Sequence, residues 1–268
     1  MKDKIVVITG ASSGIGKACA LVFAKHCAGV VMVARDATKL SASVEEVKKI
    51  NSSTLAIVAD VSKQEDCKRI ADETIAAFGK ISILINNAGL SMRALFEDVE
   101  LEVMHKLMNV NFWGAVYCTK YALPHILKEK GSVVGISSIA GKKGLPGRAG
   151  YSASKFALEG FLETLRTENL KKDLHVLVAC PGYTESNIRN TALAKDGKQQ
   201  NESPLDESKL MKSEEVAKHI YNAVANRKRD LILTSNGKLT VWLNKFFPSM
   251  MDKMVYNFVA KEPGSPFE

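Results

Sequence analysis

The chain lacks the features that mark secreted, metal-binding and membrane-spanning proteins. Its 268 residues include only five cysteines, which form no C-x-x-C pair, and five histidines, which lack the spacing of metal ligands. No run of about eighteen apolar residues is free of charge. These absences exclude a disulfide framework, a recognisable metal site and a helix that spans a bilayer.

The start of the chain and the distribution of charge exclude two further classes. A strand-like run begins at Lys4 and leaves no room for a signal peptide, so we expect a cytoplasmic protein with reduced, mostly buried thiols. The formal net charge is +8, but basic residues are spread along the chain in short clusters such as Lys142-Lys143. This pattern disfavours a nucleic-acid partner and fits a solvated surface that attracts anionic ligands, including a phosphorylated cofactor.

Short apolar runs rich in valine and isoleucine alternate with longer amphipathic stretches. The runs lie at residues 5–9, 30–34, 55–59, 81–85, 133–137, 176–179 and 231–233. Continuous apolar strands separated by helices are typical of a parallel sheet covered on both faces. We therefore predict a single-domain α/β protein with a doubly wound, Rossmann-type, mostly seven-stranded parallel sheet.

Two segments depart from this alternation. Residues 185–212 are polar and have no apolar period, which predicts a mobile excursion and a candidate lid. Residues 236–268 form an apolar C-terminal extension with helical spacing, interrupted at Pro248. We expect this extension to pack on its own domain, on a second subunit or against a substrate, and we favour these over contact with a membrane surface.

A glycine-rich loop follows the first predicted strand and leads into a helix. Its glycines let the backbone turn sharply and approach a pyrophosphate, while amides at the N-terminus of the helix attract negative charge. The loop therefore predicts dinucleotide binding. The residues concerned are Gly10, Ser12, Ser13, Gly14, Ile15 and Gly16.

The residues after the second strand bear on the choice of dinucleotide. The strand ends at Ala34, which offers the ribose no carboxylate, and Arg35 follows with a planar fork that matches a phosphate. Asp36 suits the N-cap of the next helix. NADP(H) is therefore favoured over NAD(H). Asp60 and Val61, after the third strand, are predicted at the rim of the adenine pocket, with a capping role for Asp60 as the alternative.

Tyr151 and Lys155 lie on one face of a predicted helix, because residues four apart share a face. An ammonium beside a phenol stabilises the phenolate and lowers the phenol pKa from about 10 towards working pH. Exchange of a proton with an alkoxide then becomes efficient. The pair predicts acid–base chemistry, although a surface pair is the commoner reading of this spacing taken alone.

Several motifs together resemble the short-chain dehydrogenase/reductase family. Besides the glycine loop and the pair of Tyr151 and Lys155, they are Asn86-Asn87-Ala88-Gly89, Asn111-Phe112-Trp113-Gly114, Ser137-Ser138 and Pro181-Gly182. The similarity extends from about residue 4 to residue 235, in the family's order. It implies that residues 1–235 form an NADP-binding catalytic domain that interconverts a carbonyl and an alcohol.

The resemblance also implies roles for individual residues. Tyr151 resembles the acid and base of the reaction and is also predicted to contact the cofactor. Ser138 resembles the hydroxyl that orients and polarises the substrate carbonyl. Lys155 resembles the lysine that lowers the tyrosine pKa and holds the nicotinamide ribose. Asn111 resembles the asparagine that positions a water in the proton relay.

Further positions resemble those that contact the cofactor. Asn87, Ala88 and Gly89 are similar to the segment that lines it, and Asn86 resembles a residue that steadies the sheet. Pro181 and Gly182 resemble the turn beneath the nicotinamide. In this turn Ser186 would replace the family's usual threonine at the carboxamide, while Thr184 departs from the pattern and is also predicted to contact the cofactor.

Among the branches of the family, the chain resembles the NADP(H)-preferring 11β-hydroxysteroid dehydrogenase-like and dehydrogenase/reductase member 7-like enzymes. The polar excursion and the apolar tail suggest a bulky or lipid-like ketone or aldehyde, and we expect a homodimer or homotetramer. A 3-oxoacyl-thioester reductase of fatty-acid synthesis stays an alternative. A non-catalytic NADP-binding redox sensor is a second, which the complete proton-relay set disfavours.

Overall fold

A computed structural model of the chain describes residues 1–185, 187–201 and 210–267. Its strands are β1 (Ile5–Thr9), β2 (Gly29–Ala34), β3 (Thr54–Val58), β4 (Ile83–Asn86), β5 (Ser132–Ile136), β6 (His175–Cys180) and β7 (Asp230–Ile232). They form one parallel sheet in the order β3-β2-β1-β4-β5-β6-β7. The predicted doubly wound sheet is confirmed, and every strand overlaps the run that predicted it.

Helices cover both faces of the sheet. Those in the described ranges are α1 (Gly14–Ala24), α2 (Ala37–Lys48), α3 (Gln64–Phe78), α4 (Leu101–Met108), α5 (Gly114–Lys128), α6 (Ala149–Glu168), α7 (Ser213–Ala225), α8 (Ser235–Phe246) and α9 (Pro248–Ala260). Apolar residues of α1, α2 and α7 form one core layer with the sheet, and those of α3, α5 and α6 form the layer on the other face. Strands buried on both sides need apolar residues at every position, which explains the continuous runs in the sequence.

The predicted site residues lie at the carboxyl edge of the sheet. The chain order reverses between β1 and β4, which places a crevice between the loops that follow these two strands. In doubly wound sheets, ligands bind in this crevice. The loops after β5 and β6 open onto the same edge, because all the strands are parallel.

The C-terminal extension forms α8 and α9, which are separated at the predicted position. Phe247 precedes α9, and Pro248 occupies the start of that helix, where a missing amide hydrogen costs no helical hydrogen bond. Many of the large apolar side chains of the two helices are exposed, Trp242 and Phe246 among them. Among the described residues, no helix combines the length and apolar character needed to cross a membrane.

Residues 187–201, which belong to the polar excursion, form hydrogen bonds with the loop after β4. The Leu193 amide donates to the carbonyl of Ser91, the Arg93 amide donates to the carbonyl of Leu193, and Leu193 is buried. The Gln200 side chain donates to the Arg93 carbonyl at 2.7 Å. Residues 187–201 therefore pack beside the active-site edge instead of projecting from it, because two backbone hydrogen bonds and a buried leucine outweigh the polar composition.

Candidate active site

The glycine loop after β1 has a shape that larger residues would not allow. Gly10 has φ +64°, in the left-handed region that favours glycine, and a Cβ on Gly16 would lie 2.2 Å from the Gly10 carbonyl oxygen. The Asn87 side chain donates to the carbonyls of Thr9 and Gly10 at 2.9 and 3.1 Å. The Thr9 hydroxyl accepts hydrogen bonds from the amides of Asn87 and Ala88. These bonds join the loops after β1 and β4 into one rigid surface.

The helix α1 follows this loop directly, so its N-terminus lies at the crevice. The helix begins at Gly14, Ser13 makes no side-chain cap there, and the first turn carries no acidic residue. Its first amides therefore present positive partial charge without a competing carboxylate. The arrangement fits the pyrophosphate of a dinucleotide, with Ser12, Ser13 and Ile15 in the same turn.

Arg35 and Asp60 lie at the ends of neighbouring strands, β2 and β3. The Arg35 side chain is 53% exposed, and its guanidinium is 3.9 Å from an Asp60 carboxylate oxygen. Asp36 caps α2 by accepting a hydrogen bond from the Lys39 amide, as predicted. Asp60 accepts hydrogen bonds from the backbone and hydroxyl of Ser62, so it also stabilises the turn before α3.

A cavity of about 470 Å³ lies in front of Ser138, Tyr151 and Lys155. The loops after β4, β5 and β6 line one side of it, including Asn87, Gly89 and Gly182. Another part of the lining is largely apolar and comes mainly from α8 and α9, with Leu145 from the loop after β5. Its residues include Leu145, Leu239, Leu243, Met251, Met254, Val255, Phe258 and Val259. The structure thus brings Ser138, Tyr151 and Lys155 together in the lining of a cavity with an apolar wall, whereas Asn111 is not among the residues that line it.

The pKa of the Tyr151 phenol differs in direction from the expectation. Burial raises this pKa above its ordinary value, and the hydrogen bond to Ser138 and the charges of Arg148 and Arg189 only partly oppose the effect. The ammonium of Lys155 lies 5.8 Å from the centre of the Tyr151 ring. The predicted lowering by Lys155 is therefore absent from the protein alone, where desolvation dominates and the phenol holds its proton at neutral pH.

Lys155 is buried beside the tyrosine, one helical turn further along α6. Its ammonium donates to the Ile136 carbonyl at the end of β5, with a distance of 2.8 Å. Burial lowers the pKa of this lysine from 10.5 to about 8. At neutral pH the side chain carries a poorly solvated positive charge that points towards the crevice, where a Cβ on Gly89 would lie 3.6 Å from it.

Asn111 lies in a π-helical turn, Asn109–Trp113, between α4 and α5. Its side-chain oxygen accepts from the Leu90 amide at 2.7 Å, and its nitrogen donates to the Leu90 carbonyl and the Ser154 hydroxyl, both at 2.9 Å. The side chain therefore braces the loop after β4 against α6. Its water-positioning role stays a prediction.

The turn after β6 forms part of the cavity lining. Pro181, Gly182 and Thr184 all line the cavity, and the Thr184 hydroxyl donates to the Gly182 carbonyl at 3.1 Å. A Cβ on Gly182 would lie 2.7 Å from Thr234, so this turn is packed tightly. Ser186, the predicted carboxamide contact, lies outside the described residues. Val61, which follows β3 and was predicted at the rim of the adenine pocket, is buried against Gly114, away from solvent.

Sequence reasoning missed a buried carboxylate behind the site. Glu159 follows Lys155 by one more turn on the same face of α6 and pairs with Lys142 at 2.5 Å. It also accepts from the Ser137 hydroxyl at 2.5 Å and from the Cys180 thiol at 3.4 Å. Glu159 thereby links the ends of β5 and β6, which carry Ser138 and Pro181. The spacing of four residues from Lys155 was the available signal.

Replacing Glu159 with alanine is expected to lower the free energy of unfolding by about 3 kcal/mol, because Lys142 and Ser137 would lose their buried acceptor. Urea unfolding measures this change. The matched control is Glu163→Ala, one turn further along α6, where the side chain is 55% exposed and lies 3.9 Å from Arg229. That variant should lose less than about 1 kcal/mol. Equal losses for both variants would contradict the linking role.

Comparison with known proteins agrees with this geometry. The short chain dehydrogenase family model matches residues 4–197, and the chain belongs to this family of oxidoreductases. It is 36% identical over 253 residues to 11-beta-hydroxysteroid dehydrogenase-like 4A of Arabidopsis thaliana, covering 94% of this chain and 83% of the relative. It is 33% identical over 270 residues to dehydrogenase/reductase SDR family member 7B of Rattus norvegicus, covering 98% and 83%. The predicted branch resemblance is confirmed.

Solved structures have the same fold. A short chain dehydrogenase/reductase from Burkholderia phymatum in complex with NAD has a TM-score of 0.83 and 23% identity, covering 93% of this chain and 95% of that one. An alcohol dehydrogenase from Thermococcus sibiricus complexed with 5-hydroxy-NADP has a TM-score of 0.75 and 23% identity, covering 87% and 96%. Structural neighbours therefore include proteins bound to either kind of nicotinamide dinucleotide.

Proposed function

We propose that the protein is an NADP(H)-dependent reductase of apolar, bulky ketones or aldehydes. The observation that carries this proposal is the convergence of Ser138, Tyr151 and Lys155 on one cavity beside the glycine loop. The name of the Arabidopsis thaliana relative, which refers to a hydroxysteroid, supports a bulky apolar substrate, as does the wall formed by α8 and α9. A bound reduced nicotinamide would supply the hydride.

Residues of the chain would bind the carbonyl, donate the proton and stabilise the resulting charge. Ser138 holds the carbonyl oxygen, and Tyr151 donates its proton to that oxygen as negative charge develops. A phenol whose pKa is raised by burial is protonated at neutral pH and is therefore a ready donor. Lys155 reaches the ribose side of the crevice, and its charge stabilises the phenolate left after proton transfer.

The preference for NADP(H) rests on Arg35. Its guanidinium follows β2 at the position where a 2′-phosphate would lie, is half exposed, and is held within 3.9 Å of Asp60. A planar cation can bind that phosphate through two parallel hydrogen bonds. The carboxylate nearest this position in sequence, Asp36, is occupied in capping α2 and is less available to a ribose hydroxyl.

Replacing Arg35 with alanine is expected to weaken NADPH binding by about tenfold or more while NADH binding changes little, because only the former carries the phosphate. Fluorescence titration of both cofactors measures this difference. Lys48→Ala removes an exposed positive charge from the other end of α2 and should leave both affinities unchanged. An equal loss for both cofactors would remove the case for a phosphate-binding arginine.

The reaction itself is tested by NADPH oxidation in the presence of steroid, long-chain, aromatic and 3-oxoacyl-thioester carbonyls. We expect turnover with bulky apolar ketones or aldehydes. Preference for the thioester would instead identify the fatty-acid-synthesis alternative. Cofactor binding without turnover of any carbonyl would favour the redox sensor and contradict the proposed function.

A further inference from the structure

Three basic side chains, Lys142, Lys143 and Arg148, lie in the loop between Ser138 and Tyr151. Lys142 pairs with Glu159, and Lys143 pairs with Asp252 on α9. Of the three, Arg148 is the one that lines the cavity. Glu159 and Asp252 therefore pair with the two lysines, and the Arg148 guanidinium faces the cavity, where a substrate would lie.

Arg148 has an incomplete set of partners. Its side chain is 11% exposed, and its ion pair with Glu262 spans 3.9 Å, beyond hydrogen-bonding distance. The same Glu262 oxygen accepts a closer contact from Arg93 at 3.2 Å. Within the described part of the chain, the Arg148 side chain donates no hydrogen bond. Two guanidiniums thus share one oxygen of the Glu262 carboxylate, and Arg93 keeps its contact with that oxygen if Arg148 turns towards a ligand.

Other charged residues also line the described part of the cavity. Among the described lining residues, Arg148, Lys155 and Arg189 are basic and Glu262 is acidic. Arg189 is anchored to the Thr184 carbonyl at 2.5 Å. A positive charge held away from water is costly unless an anion accompanies it. Arg148 is 11% exposed and lies 3.9 Å from the Glu262 carboxylate, so it favours a negatively charged group on an otherwise apolar molecule.

We propose that Arg148 binds a carboxylate of the substrate, and that the substrates are apolar oxo acids. The guanidinium would hold the carboxylate through two parallel hydrogen bonds, while the carbon chain lies against α8 and α9. Because Arg148 lies just before α6, its guanidinium would hold the substrate carboxylate on the substrate side of Tyr151, apart from the glycine loop. This inference rests on the proposed carbonyl reduction and names its substrate class.

The test compares long-chain oxo acids with their methyl esters, in a series that moves the ketone along the chain. Binding to the complex of the protein with NADP⁺, in which no reduction can occur, is measured by isothermal titration calorimetry. The wild type should bind the acid at least about tenfold more tightly than the ester for one or more ketone positions. Arg148→Gln should bind the two alike, with ester affinity unchanged, and Arg148→Lys should keep part of the preference.

Two controls isolate the effect. Lys171→Gln removes an exposed charge far from the cavity and should keep the full preference for acids. Circular dichroism and the unfolding temperature establish that each variant is folded, and the comparison of acid with ester in the wild type needs no variant at all. Equal binding of acids and esters by the wild type, or an undiminished preference in Arg148→Gln, overturns the assignment.

Turnover separates this inference from the proposed function. If the wild type reduces neutral ketones but does not distinguish acids from esters, the reductase assignment stands and the anion site is rejected. If no ketone is reduced, whether acid or ester, the proposed function itself fails, whatever the titrations give.

Discussion

Tyr151→Phe is expected to lower turnover by at least about 100-fold, the usual contribution of a positioned general acid. The substitution removes the hydroxyl that faces Ser138 and the cavity and keeps the ring that fills the space. NADPH affinity should stay close to that of the wild type, because the proposed cofactor contacts lie mainly in the glycine loop, at Asn87 and at the start of α1. NADPH oxidation and a fluorescence titration measure the two quantities separately.

The matched control is Tyr221→Phe, which makes the same chemical change on α7, where the ring stacks on His26. That variant should turn over normally. Normal turnover by Tyr151→Phe would show that another group supplies the proton and would remove the central assignment.

Lys155→Met is expected to lower turnover by a similar factor and yet to raise the free energy of unfolding of the cofactor-free protein at pH 7. A pKa lowered from 10.5 to about 8 means that folding places a charged ammonium where it is poorly solvated. The shift corresponds to at most about 3 kcal/mol, from which roughly 1 kcal/mol is lost with the hydrogen bond to Ile136. A net gain of about 1–2 kcal/mol is expected.

The gain should depend on pH in a defined direction. Between pH 8 and 10.5 the unfolded chain keeps the lysine proton and the folded protein does not, so the wild type recovers stability as pH rises. The advantage of Lys155→Met should therefore be largest below pH 8 and shrink towards pH 10.5. Urea unfolding at pH 7 and pH 9 measures it. Lys218→Met, at an exposed position of α7, should change stability by less than about 0.5 kcal/mol at both values. A loss of stability in Lys155→Met at pH 7 would refute the argument.

Local patterns predicted the sheet well because the parallel strands are buried on both faces. The runs at residues 5–9 and 231–233 match β1 and β7 to within one residue. The helix face shared by Tyr151 and Lys155 could also be predicted, since it depends only on the spacing along one helix. Both features are determined by neighbouring residues in the chain, so a single sequence is enough to predict them.

Features that depend on distant partners could not be predicted. The sharing of Glu262 between Arg93 and Arg148 joins three segments far apart in sequence. The sign of the Tyr151 pKa change required knowledge of burial, which outweighs the neighbouring charges. Residues 187–201 looked unconstrained in composition, but Leu193 is buried against the loop after β4. In each case tertiary packing, and not local preference, decides the outcome.

Most of the apolar wall of the cavity, all of its named residues except Leu145, follows the last strand of the sheet in sequence. The proton-transfer residues and the glycine loop all precede β7, whereas α8 and α9 come after it. Most of the apolar wall and the proposed proton-transfer groups are therefore encoded in separate stretches of the chain. Substitutions confined to the final helices can reshape this wall without altering Ser138, Tyr151 or Lys155.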